Sequence, residues 1–451
     1  STSTSTSTTI LPPPKPHCVI GSGCTGLSCS YHLSTPTTLY TGPSFGGNAK
    51  TVVVDGTPVD VGFMVYNELY YPNFTALMEA VGAEGEDTDM SLSITTASGY
   101  KFSSASPLRL LSNLLSPSGL LTYCGIAQLN RLLPLVLSLP PGSPLLSETL
   151  GSWLLRNSFS ASLQSNYLLP MCAALWSTSH ARVLEMPAHF VASFLQNHGM
   201  LTLLARRPKW KTVSGRSLSY TSSALRALSS LGCRVVHASV TSVSRRSDGA
   251  WTVVDSKGGE GAYERVVFAC PTPHAAEALR RGAEGREPPS AAVVGGAATP
   301  DDGCGDDDDG GAGFVGVLRG LCADVGYCES DVVLHSDEGF MPSSRGDWCS
   351  WNVRCAPGPS PAPGEGCEIT YWLNKLQNLP GAEPGLFVTV SPLTPPSNVH
   401  GSFKMWHPVP TLKSGEASRR LTKGGGWKGL HFAGAWAGMG FHEDGVRSGL
   451  E

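Results

Sequence analysis

The segment Gly21-Ser22-Gly23-Cys24-Thr25-Gly26 constrains this chain more than any other. It is a GxGxxG run that follows a short apolar stretch, His17-Cys18-Val19-Ile20. It opens a run of small residues, roughly 25–33, that Ser34-Thr35-Pro36 stops. That order predicts strand, glycine turn and helix. A second short strand at 38–40 makes it β-α-β, the start of a doubly wound sheet. In such a turn the first glycine permits the tight bend and the second lets a pyrophosphate approach the backbone. The third lets helix and strand pack closely. The free N–H groups at the helix start then face the phosphate charge. Dinucleotide binding is therefore expected, with Gly21, Ser22, Gly23, Thr25 and Gly26 as its holders. The alternative is a tight strand-helix turn without ligand.

The acid that grips a ribose ordinarily stands about 20 residues further on, at the end of the second strand. Here that place is Thr41, in Leu39-Tyr40-Thr41-Gly42, with no acidic neighbour. A threonine hydroxyl can bond a ribose hydroxyl without charge assistance. A weakened grip, a ribose held from elsewhere and a ligand-free relic all stay open.

Composition narrows the class. Charged residues are 15% of the 451, against roughly 25% in an average soluble chain, so much of the chain should be buried. The 41% apolar content excludes wholesale disorder, and the 52 glycines have no three-residue period, which excludes collagen. No 18 consecutive apolar residues occur, so no bilayer span is expected. Six of the 36 acidic residues, Asp301, Asp302, Asp306, Asp307, Asp308 and Asp309, share one glycine-rich run. Without them 30 acids face 32 basic residues, and there is no basic stripe for nucleic acid. The 13 cysteines sit singly without CxxC pairs, as buried free thiols of an intracellular, reducing compartment would. Cys349 and Cys355 suggest half a zinc site, but no matching pair follows, so no metal is expected.

Residues 1–16 are low complexity and contain no acid, so they read as a disordered tail. A Ser/Thr-rich, acid-free start is compatible with a plastid or other organelle, and equally with an arbitrary truncation. Val52 to Asp60 reads as a hairpin around Asp55-Gly56. From 102 to 155 the only charges are Arg109, Arg131 and Glu148 in a leucine-rich, proline-broken stretch. Short helices are expected there, either as an ordinary helical subdomain or as a greasy substrate entrance with peripheral membrane contact. Strands are expected at 231–243, 250–255, 263–270, 331–335, 368–372 and 386–390, with loops at 284–313 (acidic, disordered) and 356–366.

The segments that follow the glycine turn carry a resemblance. Phe45-Gly46-Gly47-Asn48-Ala49-Lys50-Thr51, then Val59-Asp60-Val61-Gly62-Phe63-Met64, resemble the flavin amine oxidase superfamily. So does the C-terminal run from Leu430 through Gly434-Ala435 to Gly440-Phe441-His442-Glu443-Asp444-Gly445. Further motifs at 167–179, 207–215, 333–342, 347–353 and 370–379 narrow it to an NAD/FAD-binding oxidoreductase branch. That branch also forms the N-terminal half of plant cyclopropane fatty acid synthases. The resemblance implies an α/β fold: a Rossmann-like FAD-binding domain with an interleaved α+β substrate domain. The expected divisions are 17–70, 205–283 and 424–451 for the first and 71–204 and 314–423 for the second.

It further implies FAD as cofactor. Beyond the glycine turn and Thr41, the implied binding residues are Gly46, Gly47, Asn48, Gly62, Phe63, Met64, Val240, Gly434, Ala435, Gly440, Phe441, His442 and Glu443. Ala435 stands where many flavoproteins place an acid. The positive end of the last helix would stabilise the negative charge of reduced flavin.

Flavin oxidoreductases take hydride from a substrate C–H bond, which needs a shaped apolar cavity and something to polarise developing charge. Trp176, Trp351, Trp372, Trp406 and Tyr371 are candidate walls, and His335, Asp337, Asn352, Asn374 and His407 candidate polar points. His335, Tyr371 and His442 are the catalytic candidates, each also readable as ordinary core. The expected substrate is an apolar unsaturated lipid, fatty acyl or isoprenoid, undergoing oxidation, desaturation or isomerisation. An amine or amino-acid oxidase, which would need a cage of two aromatic rings, and a non-catalytic flavin-fold scaffold are the alternatives. No Ser-His-Asp order, HExxH or Walker loop supports a hydrolase or NTPase.

Overall fold

The computed structural model describes residues 16–33, 36–140, 142–176, 178–198, 208–284, 311–355, 366–379, 381, 385–422 and 426–451. The expected tail up to residue 15, most of the acidic run and the loop 356–365 lie outside the described residues.

Five strands, Leu430–Phe432, Arg265–Phe268, His17–Ile20, Thr37–Tyr40 and Arg234–Val236, form a parallel sheet in that spatial order. The first strand runs through the glycine turn into the helix Cys24–His32, which is buried from Cys24 to Ser30. Its small side chains let a second helix, His442–Leu450, lie almost on its backbone. A Cβ built on Gly449 would sit 2.4 Å from Ser28 Oγ and 2.5 Å from Thr25 O. Thus the C-terminal helix is held beside the glycine turn by residues too small to keep it away.

The run 231–243, expected as one strand, is two. Arg234–Val236 extends the parallel sheet, whereas Val240–Arg245 leaves to pair antiparallel with Trp251–Asp255, which pairs with Glu260–Tyr263. An N–H of Ala238 donating to Val236 O at 3.0 Å closes the bend between them. The Asp55-Gly56 hairpin forms between Thr51–Val54 and Thr57–Asp60, with φ of 47° and 82° at its two turn residues, as a tight primed turn requires.

A seven-stranded sheet carries the rest of the core, in the order Val399–Pro408, Tyr327–His335, Phe387–Val390, Cys367–Trp372, Trp351–Cys355, Leu92–Thr95 and Lys101–Ser103. The helix Leu169–Leu175 packs on it, and Ala188–Asn197 shares the same core by packing on neighbouring helices. The stretch 102–155 is not made of short helices alone. Pro117–Leu137 is one helix of 21 residues that tolerates Pro134 in its last turn. Ile126, Leu129, Leu133 and Val136 bury one face of it in the core. By length and mean hydropathy (1.3) it could cross a membrane, and a third of it is buried inside the fold.

The two sheets are joined at Asp60. Its carboxylate accepts from Ser217 N at 2.9 Å and Ser217 Oγ at 2.9 Å, and so caps the helix Ser217–Ser230. Its backbone exchanges two hydrogen bonds with the buried side-chain amide of Gln377, at 2.9 and 2.8 Å. A second tie is the pairing of Gly85–Thr88 with Trp210–Val213. Residues 61–64 leave this clamp into the space between the sheets.

Candidate active site

The glycine turn has the geometry each position demands. Gly21 has φ of +116°, and a Cβ there would lie 2.3 Å from Ala269 O. A Cβ on Gly26 would lie 1.8 Å from Gly21 O. At Gly23, by contrast, nothing stands within 4 Å of a built Cβ. The second glycine therefore borders open space at the start of a helix, which is where a diphosphate would sit. The Gly46-Gly47 loop lies against it: a Cβ built on Gly47 would sit 3.2 Å from Gly23 Cα, and Gly46 N–H donates to Ser22 Oγ at 3.3 Å.

Thr41 is buried, and its hydroxyl donates to Gly42 O at 3.1 Å. Its N–H and that of Gly42 are held by Val236 O and Ala238 O, which brings the bend before Val240 to the ribose position. Ala435 begins a short turn whose carbonyl accepts from Gly440 N at 3.0 Å, while Gly434 N donates to Ser448 Oγ at 3.1 Å. Asn48 O accepts from Phe63 N at 2.8 Å, and Gly62 passes so close to that oxygen that a Cβ would meet it at 2.0 Å.

From this seam a cavity of about 170 Å³ opens towards the seven-stranded sheet. Asn48, Gly62, Phe63, Met64, Gly440, Phe441 and His442 border it on one side. Trp176, Trp351, Tyr371, Val332, Val390, Met405 and His407 border it on the other. No Asp, Glu, Lys or Arg lines it among the described residues. Two buried polar atoms of its wall, Trp351 Nε1 and His407 Nδ1, have no hydrogen-bond partner. Burial lowers His407 to about 4, so its imidazole is neutral at pH 7. Trp351 and Tyr371 are Cα partners across their strands and meet edge to face, ring centroids 4.9 Å apart.

Met90, His198 and Trp210 are shared with a second cavity of about 400 Å³. Leu92, Phe102, Leu110, Ile126, Tyr167 and Met171 are its apolar lining, and Asp87, Asp89 and Lys209 its charged lining. Leu110 belongs to the helix Pro107–Asn113, whose neighbours Leu108, Leu111 and Leu115 are 76%, 59% and 88% exposed. The second cavity thus lies under the leucine-rich face of the protein.

Strand parity decides which expected residues arrive. Side chains two apart share a face of a sheet. Met405 and His407 face the cavity, and Trp406 between them packs on Tyr327 and His274 instead. Tyr371 lines the cavity, and Trp372 packs on Trp348. His335 stands three residues beyond the cavity-lining Val332 and is not brought to the site. Asp337 N–H donates to its Nδ1 at 3.1 Å, so its Nε2 carries the proton to Thr389 Oγ1 at 2.8 Å. Packed on Phe340 and Phe387, it is a satisfied core histidine. Asp337 is spent on Ser397 and Gly339, Asn352 on Ser93, Cys349 and Thr370, and Asn374 on Leu386 N.

His442 stacks on Phe63 with centroids 3.5 Å apart, and its Nε2 meets Tyr220 Oη at 3.1 Å. Burial lowers it to about 3. Glu443, implied as a binding residue, caps backbone N–H groups of another helix, Pro72–Ala80. Its two oxygens accept from Asn73 N, Asn73 Nδ2 and Phe74 N at 3.2, 2.6 and 3.0 Å, so the carboxylate is held against that helix. Sequence reasoning missed His198, Phe194, Met405, Trp210 and Met439, which carry no local motif; only the alternation of Met405 with His407 could have flagged one of them.

The comparisons agree with this architecture. Residues 19–81 match the NAD(P)-binding Rossmann-like domain family. No curated protein sequence matches the chain. A fatty acid isomerase from P. acnes that produces CLA is similar in structure, with a TM-score of 0.63 at 11% identity over 96% of this chain and 97% of that one. Cyclohexylamine oxidase from Brevibacterium oxydans IH-35A gives 0.60 at 14% identity over 97% of each chain. Putrescine oxidase with bound putrescine gives 0.59 at 12% over 96% and 97%. The chain therefore contains an NAD(P)-binding Rossmann-like domain, inside the α/β fold shared by these two oxidases and the isomerase.

Proposed function

We propose that this chain is an FAD-dependent oxidoreductase or isomerase acting on an apolar unsaturated lipid, a fatty acyl or isoprenoid chain. The observation that carries the reading is the cavity wall: apolar and aromatic, without an ionised side chain, and sharing Met90, His198 and Trp210 with a second cavity that adds Leu92, Phe102, Leu110 and Ile126 on its apolar side. A charged group placed against that wall would lose its hydration without gaining a partner. A hydrocarbon chain would lose nothing.

The residues that would hold FAD fit it, since the open space at Gly23 is the cradle its diphosphate needs. Ser22, Gly46 and Gly47 border that cradle. The helix His442–Leu450 begins at the cavity, where Phe441 and His442 form part of the wall. Bound flavin supplies the hydride acceptor. The chain's own part is to exclude water and to hold an allylic CH₂ group against the seam at Gly62–Met64. Neutral His407, through its unpartnered Nδ1, can hold or release a proton there, and Trp351 Nε1–H can donate. Tyr371 fixes the Trp351 ring by its edge contact.

Support for a fatty acyl substrate comes from the resemblance to the branch found in plant cyclopropane fatty acid synthases and from the isomerase among the similar structures. The exposed leucines around Leu110 suit peripheral contact with a membrane, from which such a substrate would be drawn. Trp351 and Tyr371 touch each other edge to face, so this pair does not make the two facing rings of an amine cage.

The test is to load the purified chain with FAD and mix it anaerobically with unsaturated fatty acids, an isoprenoid panel and an amine panel. Flavin absorbance and product mass are followed together. Double-bond movement or loss of two hydrogens from a lipid is expected. Flavin reduction by amines alone, or no flavin uptake at all, contradicts the proposal.

A further inference from the structure

Two cysteines lie on the same strands as the cavity wall. Cys355 and Cys367 are Cα partners at one end of the antiparallel pair whose other end carries Trp351 and Tyr371. Directly opposed residues in such a ladder have Cα atoms about 4.5–5.5 Å apart, inside the window a disulfide needs. Their Sγ atoms are 2.6 Å apart, and His180 Nε2 is 3.1 Å from Cys367 Sγ. All three donor atoms fall within 4.8 Å of one another. The surroundings set this pair apart. Burial pushes up the thiols of Cys18, Cys24, Cys29, Cys172, Cys270 and Cys322. The Cys355 thiol moves down, because the Cys367 S–H and then His180 stabilise its thiolate, and Cys367 moves up in exchange. Cys355 is also partly exposed.

We propose that Cys355 and Cys367 are a reversible dithiol–disulfide couple, positioned by His180, that exchanges with low-molecular-weight disulfides such as oxidised glutathione. The Cys355 thiolate attacks one sulfur of the glutathione disulfide. That S–S bond breaks, one glutathione leaves as thiolate, and Cys355 carries a mixed disulfide. Cys367 passes its proton to His180 Nε2 and attacks Cys355 Sγ. The protein disulfide forms, and the second glutathione leaves as thiolate and takes the proton from the imidazolium. Two electrons pass from the cysteines to glutathione. The new bond ties the two strands about four residues, roughly 14 Å, from the Trp351–Tyr371 contact.

The experiment uses the full chain equilibrated in glutathione buffers of graded poise, then alkylated and mapped by peptide mass. The result expected is a 355–367 cross-link, lighter by two hydrogens, that forms under oxidising poise and is undone by dithiothreitol. Cys355→Ser and Cys367→Ser each abolish it, and in Cys367→Ser the Cys355 thiol keeps a glutathione adduct. His180→Asn slows alkylation of Cys355 at pH 7 by about tenfold and moves its pH profile upward, which a merely structural histidine would not do. Two thiols alkylated at every poise would overturn the proposal. So would one zinc ion per chain that disappears in either cysteine variant, which would make the cluster a metal site.

Discussion

The glycine turn and the cavity beside it are built from opposite materials. In the turn, backbone meets backbone: a Cβ on Gly26 would lie 1.8 Å from Gly21 O, and one on Gly21 2.3 Å from Ala269 O. In the cavity, side chain meets side chain across Trp176, Trp351, Tyr371 and Met405. A backbone contact at that distance admits one residue type and writes itself into the sequence at fixed spacing. An apolar wall accepts many residues of similar volume. The half that binds a common chemical group is therefore specified tightly, and the half that selects a substrate is specified loosely.

The largest effect should come from testing the first half of that contrast. Gly26→Ala has no space to relieve its clash and should cost about 4 kcal/mol or more, read as loss of soluble protein or of the denaturant midpoint. Gly23→Ala, where the Cβ meets nothing within 4 Å, should unfold within about 0.5 kcal/mol of the parent while the flavin content of the purified protein falls. Equal destabilisation by the two would erase the distinction between a packing glycine and a cradle glycine.

The cavity side predicts acid sensitivity. Burial lowers His198 and His407 to about 4 and His442 to about 3. Each is neutral when folded and takes up a proton near pH 6.5 when unfolded, so the unfolded state binds more protons between those values. Stability is full above about pH 6.5 and is lost as pH falls, by about 1.4 kcal/mol per unit for each histidine. Denaturant midpoints at pH 7 and pH 5 measure it. His335, lowered to about 4 in the same way but turned from the cavity, sharpens the comparison. His335→Gln should flatten the slope by one histidine's share and leave lipid turnover within about twofold. A large loss of turnover at unchanged stability would return it to the site.

A smaller effect concerns the outer face. Replacing Leu108, Leu111 and Leu115 by Glu should cut partitioning onto phosphatidylcholine vesicles by about tenfold or more in sedimentation, with the unfolding midpoint unchanged. Unaltered partitioning would make the leucine face an ordinary surface.

The same contrast explains what the amino-acid order revealed. The β-α-β start, the Asp55-Gly56 hairpin and the glycine turn were legible because each depends on a residue that alone tolerates its backbone geometry. The break at 237–239 was not, since Val235, Val236 and Val240 read as one β-rich run and only the sheets on either side decide where the chain leaves one for the other. Among the polar candidates, His335 and His407 look alike in sequence. What separates them is strand parity against a sheet whose cavity-bearing face carries no label in the sequence. Glu443 stood at the expected helix start, yet its carboxylate serves a helix some 370 residues away in the chain, a partner no local pattern announces.

The central claim is that an apolar lipid and a flavin share this seam. Mass spectrometry of small molecules extracted from the natively purified chain addresses both at once. The account predicts one FAD per chain together with a long unsaturated acyl or isoprenoid compound, and Gly23→Ala protein that has lost the first. A chain that releases no flavin, or one whose flavin is accompanied by a small amine and never by lipid, would contradict it.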